Sequence, residues 1–279
     1  MKILILGKGY IGTRCVNSWP NADICTEKIN SIDDALQILE QYQPDVVLNT
    51  IGIKGKPNVD WCETHQIETM WGNVVVPIMI AQACQEKNIY LLHIGSGCVY
   101  YGDSPSPDGW TEDDFANPQA TYSKSKYAAD LALSEFPNTG IARIRMPLDN
   151  IPSPSNIIDK LVTYEKIIDV ENSLTVIEDM VDVLYQLMEK KAIGIFHLTN
   201  PGTIRHKEII EMYQKIVDSS ITKKWISNDE LVKQGLAVKG RSNNCLQSEN
   251  LSKLGIKMRP VKEAVKDTLE KYATLKNKA

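Results

Sequence analysis

Short apolar runs alternate along this chain with longer segments whose apolar side chains recur at helical spacing. The runs at 2–6, 23–26, 45–50, 89–95, 140–145, 167–170 and 194–199 predict strands. Between them, 10–18, 31–42, 65–87, 121–135, 156–164 and 177–190 predict helices. Val46-Val47-Leu48 carries no polar residue, as expected of a strand covered on both faces. Ser31 followed by Asp34 signals a helix start, and Pro44 marks where that helix ends. The beat predicts an α/β fold with a doubly wound parallel sheet, whose ligands bind at the carboxyl ends of the strands.

Past residue 147 the beat loosens. Pro147, Pro152 and Pro154 interrupt regular structure, and helices expected at 206–217, 228–234 and 260–273 do not resume the alternation. We therefore expect a dinucleotide-binding domain over 1–150. A smaller substrate-binding lobe over 151–279 follows, with some segments returning to the first domain.

Composition narrows the partners. At 279 residues and 43% hydrophobic content the chain can bury a substantial core. A net charge of −4 argues against nucleic acid. Lysines 262, 266, 271, 276 and 278 read as a solvated helix face and tail. No apolar run approaches the roughly 20 residues that span a bilayer, so no membrane partner is expected. The start, Met1 to Gly7, reads as a first strand and not as a signal peptide. Six cysteines show no Cys-x-x-Cys pair and no metal-ligand spacing with the four histidines. That pattern predicts a reduced, cytoplasmic protein without a metal or disulfides.

Two motifs carry chemistry. Gly7-Lys8-Gly9-Tyr10-Ile11-Gly12 lies between the first strand and a helix. There, glycines permit a tight turn, backbone approach to a pyrophosphate, and close helix–strand packing, with phosphate at the helix N-terminus. Asn49-Thr50-Ile51-Gly52 would pass near the adenosine half. Glu27 suits a ribose hydroxyl and so NAD(H), whereas Lys8 and Lys28 would attract a 2′-phosphate and so NADP(H). The second motif is Tyr122-Ser123-Lys124-Ser125-Lys126. A Tyr and a Lys four apart share one helix face. A free phenol has a pKa of roughly 10, and a neighbouring ammonium would pull it toward working pH. Ser96 ends the middle strand and offers a hydroxyl to a substrate carbonyl.

Together these residues resemble the short-chain dehydrogenase/reductase superfamily, which has a Rossmann fold. The likeness tightens over 2–270. Asn58-Val59-Asp60-Trp61-Cys62-Glu63, Gly97-Cys98, Arg143-Ile144-Arg145-Met146-Pro147, Tyr164-Glu165-Lys166, Asn172-Ser173, Asn200-Pro201-Gly202 and Arg241-Ser242-Asn243-Asn244 occur in order. The chain resembles the bifunctional nucleotide-rhamnose synthases, 3,5-epimerase/4-reductases related to dTDP-4-dehydrorhamnose reductase. Ser96 stands where that family usually has Thr, and Ser155 where many members have Arg.

The resemblance implies NADP(H) as cofactor and a UDP-4-keto-6-deoxy sugar as substrate. It implies Tyr122 as proton donor, Ser96 as a second donor, and Lys126 as a holder of the nicotinamide ribose, with Pro147 on the cofactor side. It assigns epimerisation to Cys98 and to Lys160 of the Asn156-x-x-x-Lys160 segment. On the substrate side, Asn58, Asp60 and Glu63 would bond sugar hydroxyls, Asn73 and Asn156 would support the site, and Arg241, Asn243 and Asn244 would grip the diphosphate and nucleotide. His197 and His206 receive no catalytic part. Narrower alternatives are reduction alone or a 2-acetamido sugar. Another class is a non-catalytic subunit, as the regulatory β-subunit of methionine adenosyltransferase shares the fold. The helices at 65–87 and 121–135 are candidates for a homodimer face.

Overall fold

The structure is a computed structural model and describes residues 1–276. Its chain forms two compact units that interleave in sequence. One comprises Met1–Val99, Ala116–Arg143 and Val181–Phe196. The other comprises Tyr100–Phe115, Ile144–Met180 and the chain from His197 onward. One crossing between the units falls at Arg143/Ile144. The return over 181–196 falls on the helix and strand expected at 177–190 and 194–199, whereas the excursion over 100–115 leaves no mark in the hydrophobic pattern.

Four strands and their helices open the first unit: β1 (Ile3–Leu6), α1 (Tyr10–Ser18), β2 (Ala22–Cys25), α2 (Ile32–Tyr42), β3 (Val46–Asn49), α3 (Gln66–Met70), α4 (Val76–Glu86) and β4 (Tyr90–Ser96). Then come α5 (Thr121–Leu133) and β5 (Thr139–Ile144). The six-stranded sheet runs β2-β1-β3-β4-β5 and closes on Gly194–Leu198. β1 pairs in parallel with both β2 and β3, and β3 with β4. Strand order thus reverses between β1 and β3, which is where such sheets bind ligands. Leu4, Leu6, Val47 and Leu91 pack from the strands against Ile38 and Leu39 of α2 and Ile80 and Cys84 of α4. Each such buried side chain contributes about 1.5–3 kcal/mol, so the sheet is a stiff platform for the loops at its end.

Ser31 caps α2 with a full capping box, its hydroxyl accepting from Asp34 N–H at 3.1 Å while Asp34 accepts from Ser31 N–H. The expected helix over 65–87 is not uniform. Trp71–Val75 forms a π-turn between α3 and α4. Pro77 explains the break: it has no N–H to give to the carbonyl of Asn73, so the ladder must shift. Gln66–Glu86 is also an exception to the expected lack of a long apolar segment, with mean hydropathy 1.2. Half of it is buried within the protein, as in a core helix.

The second unit has its own core, built from Leu148, Ile158, Leu161, Val176, Ile209, Tyr213, Val265 and Leu269. Its helices include α6 (Ile157–Thr163), His206–Ile216 and Val261–Lys276. The strand expected at 167–170 is shorter, Lys166–Ile168, and pairs in parallel with Lys224–Ile226 outside the main sheet. No sequence periodicity could have placed it there, because the partner lies far along the chain.

Candidate active site

The glycine loop folds for reasons visible atom by atom. Gly7 has φ +100°, the left-handed region that favours glycine. A Cβ on Gly12 would lie 2.1 Å from the Gly7 carbonyl oxygen, so nothing larger allows α1 to start here. Thr50 clips the loop to β3 by donating its hydroxyl to the carbonyls of Leu6 (2.9 Å) and Gly7 (2.8 Å). Gly9, by contrast, has no atom within 4 Å of where a Cβ would stand. It is the N-cap of α1, no side chain caps that end, and the first turn carries no acidic residue. The amide groups of the turn and the open flank at Gly9 fit a pyrophosphate. Tyr10 and Ile11 lie in that first turn. Lys28 is exposed just past β2. Gly52 follows β3, a notional Cβ there standing 3.3 Å from Asn73 Oδ1.

At the end of β4 the chemistry gathers. Ser96 is almost fully buried and accepts from Cys98 N–H at 3.2 Å. Ser96, Cys98 and Cys62 all lie close enough to Tyr122 on α5 to act on its phenol. Burial pushes the Tyr122 phenol above its ordinary value; Cys98 adds to this and Ser96 opposes it. This corrects the expectation that Lys126 draws the phenol down. Lys126 Nζ instead sits 2.8 Å from the Ile94 carbonyl and 3.1 Å from His93 Nε2. Burial lowers the lysine to about 8, with Asp130 one turn further along α5 acting against it. Asp130 pairs with Arg143 of β5 at 2.8 Å, both fully buried. Gly95 leaves room for that pair: a Cβ there would come within 3.1 Å of Arg143 Cγ.

Several expected ligands make hydrogen bonds within the protein. Asn49 is fully buried, its Oδ1 accepting from Ile51 N–H and its Nδ2 facing His93 Nδ1, which removes its side chain from any cofactor. Asn73 is spent on Ile53, accepting its N–H at 2.7 Å and donating to its carbonyl at 2.9 Å, and donates to Ser125 Oγ. Asn156 is saturated: it accepts from the Asp149 and Ile158 N–H groups and donates to the Asp149 and Ile151 carbonyls. Asn73 uses both N–H groups and one lone pair of its oxygen in these bonds. Glu63 caps α5 from afar, accepting from Thr121 N–H at 2.7 Å and from its hydroxyl at 3.2 Å. A carboxylate there also complements the helix dipole. Asn58 caps the 3₁₀ turn Val59–Glu63 through Asp60 N–H.

The second unit holds the remaining candidates. Lys160 is half-buried on α6. Pro147 pairs with Thr175 in a short parallel ladder. The Arg241–Asn244 loop is tied down by Arg145, buried and bonded to the Ser242 carbonyl at 2.5 Å and to Asn172 Oδ1. Asn172 donates to Asn243 Oδ1, and Asn244 Nδ2 donates to the Tyr100 carbonyl at 2.9 Å. Asn243 and Asn244 therefore help shape the loop, and with half-buried Arg241 they stay candidates for the substrate side. Residue-level reading missed His93, Asp130 and the tasks of Arg143 and Arg145. A polar residue inside an otherwise apolar strand was the available signal for His93. Among the described residues no cluster suits a metal ion.

A glycine loop at the strand-order reversal, with Ser96, Tyr122 and Lys126 around β4 and α5, defines an extended short-chain dehydrogenase/reductase. The family model described as the RmlD substrate binding domain matches residues 1–274, and the chain belongs to that family. It is 32% identical over 273 residues to a bifunctional dTDP-4-dehydrorhamnose 3,5-epimerase/dTDP-4-dehydrorhamnose reductase of Arabidopsis thaliana, covering 94% of this chain and 90% of the relative. A longer trifunctional relative from the same plant also matches, and the chain spans 42% of its length. The crystal structure of the L780 UDP-rhamnose synthase from Acanthamoeba polyphaga mimivirus superposes with a TM-score of 0.90 at 27% identity, over 97% of this chain and 99% of that one. A dTDP-4-dehydrorhamnose reductase from Bacillus anthracis in complex with NADP shares the fold, with a TM-score of 0.82 at 20% identity over 99% of this chain and 100% of that one.

Proposed function

We propose that this chain is an NADP(H)-dependent nucleotide-sugar 4-ketoreductase that also epimerises its substrate, converting UDP-4-keto-6-deoxy-D-glucose to UDP-L-rhamnose. The observation that carries the reading is the gathering of Ser96 and Cys98 close to the Tyr122 phenol, with Lys126 one turn along α5. Bound NADPH supplies the hydride; the residues of the chain handle the protons and the charge. As negative charge gathers on the C4 oxygen, Tyr122 donates its proton there and Ser96 donates a hydrogen bond. A phenol held protonated by burial suits that task. The amide groups at the start of α1 hold the pyrophosphate, and Lys28 favours a 2′-phosphate over a bare ribose. The NADP complex of the Bacillus anthracis relative agrees with this choice.

The ketone acidifies the C3 and C5 hydrogens, and Ser96 and Tyr122 stabilise the resulting enolate oxygen. Cys98 and Lys160 are assigned as the acid–base groups that remove and return those protons. A guanidinium at Arg241 suits the diphosphate, and Asp60 is left as an acceptor for sugar hydroxyls. The plant relative is named as both a 3,5-epimerase and a reductase, and the viral one as a UDP-rhamnose synthase, which supports this reading.

The test separates the two steps. Incubated with UDP-4-keto-6-deoxyglucose and NADPH, the protein should form UDP-L-rhamnose, identified by NMR. Cys98→Ala should lose solvent deuterium exchange at C3 and C5 yet still oxidise NADPH when given an already epimerised 4-keto-L-sugar. Wild-type exchange in that variant would leave the chain a simple 4-ketoreductase.

A further inference from the structure

Asn49 and His93 are register partners on β3 and β4, both fully buried, and neither has a role in the reaction as described so far. Their hydrogen bonds leave little freedom. The Ile51 N–H can only donate, so the atom facing it at 2.9 Å must be the Asn49 oxygen. The Asn49 NH₂ then faces His93 Nδ1 at 3.0 Å, and that nitrogen must accept. A neutral imidazole carries one proton, which is thereby placed on Nε2. Nε2 lies 3.1 Å from Lys126 Nζ. An N–H on the ring needs a lone pair on Nζ, which an amine has and an ammonium lacks.

We infer that Asn49 and His93 form a buried clamp that fixes the imidazole proton on Nε2 and so opposes protonation of Lys126, keeping that lysine able to release and regain a proton during turnover. The pair acts through Lys126, as positioning residues. This rests on the reading that Lys126 serves Tyr122 and the cofactor. The surrounding charges agree. β3 presents the uncharged Asn49, and α5 presents Asp130, which favours the ammonium but is itself paired with Arg143 of β5. Cys98, Cys62 and Asp130 are the titratable groups that act on the neighbouring Tyr122 phenol. Burial and the adjacent Lys126 hold His93 well below its ordinary value, which favours the neutral ring that the Asn49 bond requires. Lys126 itself is brought down to about 8. A lysine that titrates there can resupply a proton after each reduction, which an ordinary lysine near 10.4 would do reluctantly.

Two measurements decide it. Long-range proton–nitrogen correlation on ¹⁵N-histidine-labelled protein reads the tautomer of His93 directly. The expected result is an unprotonated Nδ1 and a protonated Nε2; an Nδ1–H or doubly protonated ring would overturn the clamp. Asn49→Asp keeps the acceptor for Ile51 but draws the ring proton to Nδ1, turning Nε2 into an acceptor for the ammonium. In that variant the alkaline limb of turnover should move up by about one pH unit or more, a tenfold change in proton affinity. Relative to its own rate at neutrality, it should then outperform the wild type at about pH 9. A limb that stays put with the tautomer flipped would overturn the role of the clamp. If the variant does not fold, the wild-type tautomer alone decides. Near-normal turnover in Tyr122→Phe would sink the catalytic reading instead, leaving the tautomer result standing.

Discussion

Tyr122 and Lys126 sit one helical turn apart, yet their surroundings push them in opposite senses. Burial raises the phenol and lowers the ammonium, because each loses water when charged. Tyr122→Phe removes only the proton donor and should lower reduction on the order of 10²–10⁴-fold. NADPH binding, followed by its fluorescence, should survive. The Arg143–Asp130 pair is a second residue-level commitment. Arg143→Met leaves a buried carboxylate without its cation, and urea denaturation should show a loss of about 3–5 kcal/mol. Replacing both partners with apolar side chains should recover much of that. A small effect in the single variant would mean that Asp130 is already protonated, the direction in which burial drives it.

Elements turn these residues into a site. α5 brings Tyr122 and Lys126 to the end of β4, and its own start is capped by Glu63 from a loop far back in sequence. The π-turn before α4 aims Asn73 at both Ile53 and Ser125, locking the loop after β3 to α5. The glycine loop is packed closely at Gly12. Gly12→Ala would set a methyl 2.1 Å from the Gly7 carbonyl oxygen, so β1 and α1 would have to separate. That variant should lose measurable cofactor binding and melt well below the wild type. Gly9→Ala meets no neighbour within 4 Å and should melt normally while binding cofactor more weakly. Equal melting temperatures for the two variants would refute the packing argument for Gly12.

At the scale of the molecule, a buried lysine links function to stability. Its folded value of about 8 lies below the roughly 10.4 of an unfolded chain. Between those two values the unfolded state holds a proton that the folded state has released, so this group makes stability rise with pH. Below about 8 both states are protonated and the penalty is at its full extent, up to about 3 kcal/mol. Lys126→Met should therefore be more stable than the wild type at neutral pH, with the gap closing between about pH 8 and 10.4. Denaturation across that range checks both the sign and the window. A gap that widens with pH would mean the lysine is better satisfied as a cation than its neighbours imply.

Periodicity determined the alternation of β1 to β5 with their helices, and the glycine spacing determined where a dinucleotide would lie. Both are local: strand period, helix period and a turn that only glycine can make are written in consecutive residues. The Tyr–Lys spacing and the position of Ser96 were legible for the same reason. What only the tertiary structure decided are the partners. Asn49, Asn73, Asn156 and Glu63 are polar residues near the site, and from the sequence each could have faced a ligand. In the folded protein each also makes hydrogen bonds inside the protein, to residues up to 58 positions away. His93 carried the opposite lesson: one polar residue in an apolar strand becomes informative only once Asn49 and Lys126 stand on either side of it. Donor and acceptor pairing depends on which strands become neighbours, and that is a property of the folded sheet, not of any stretch of chain.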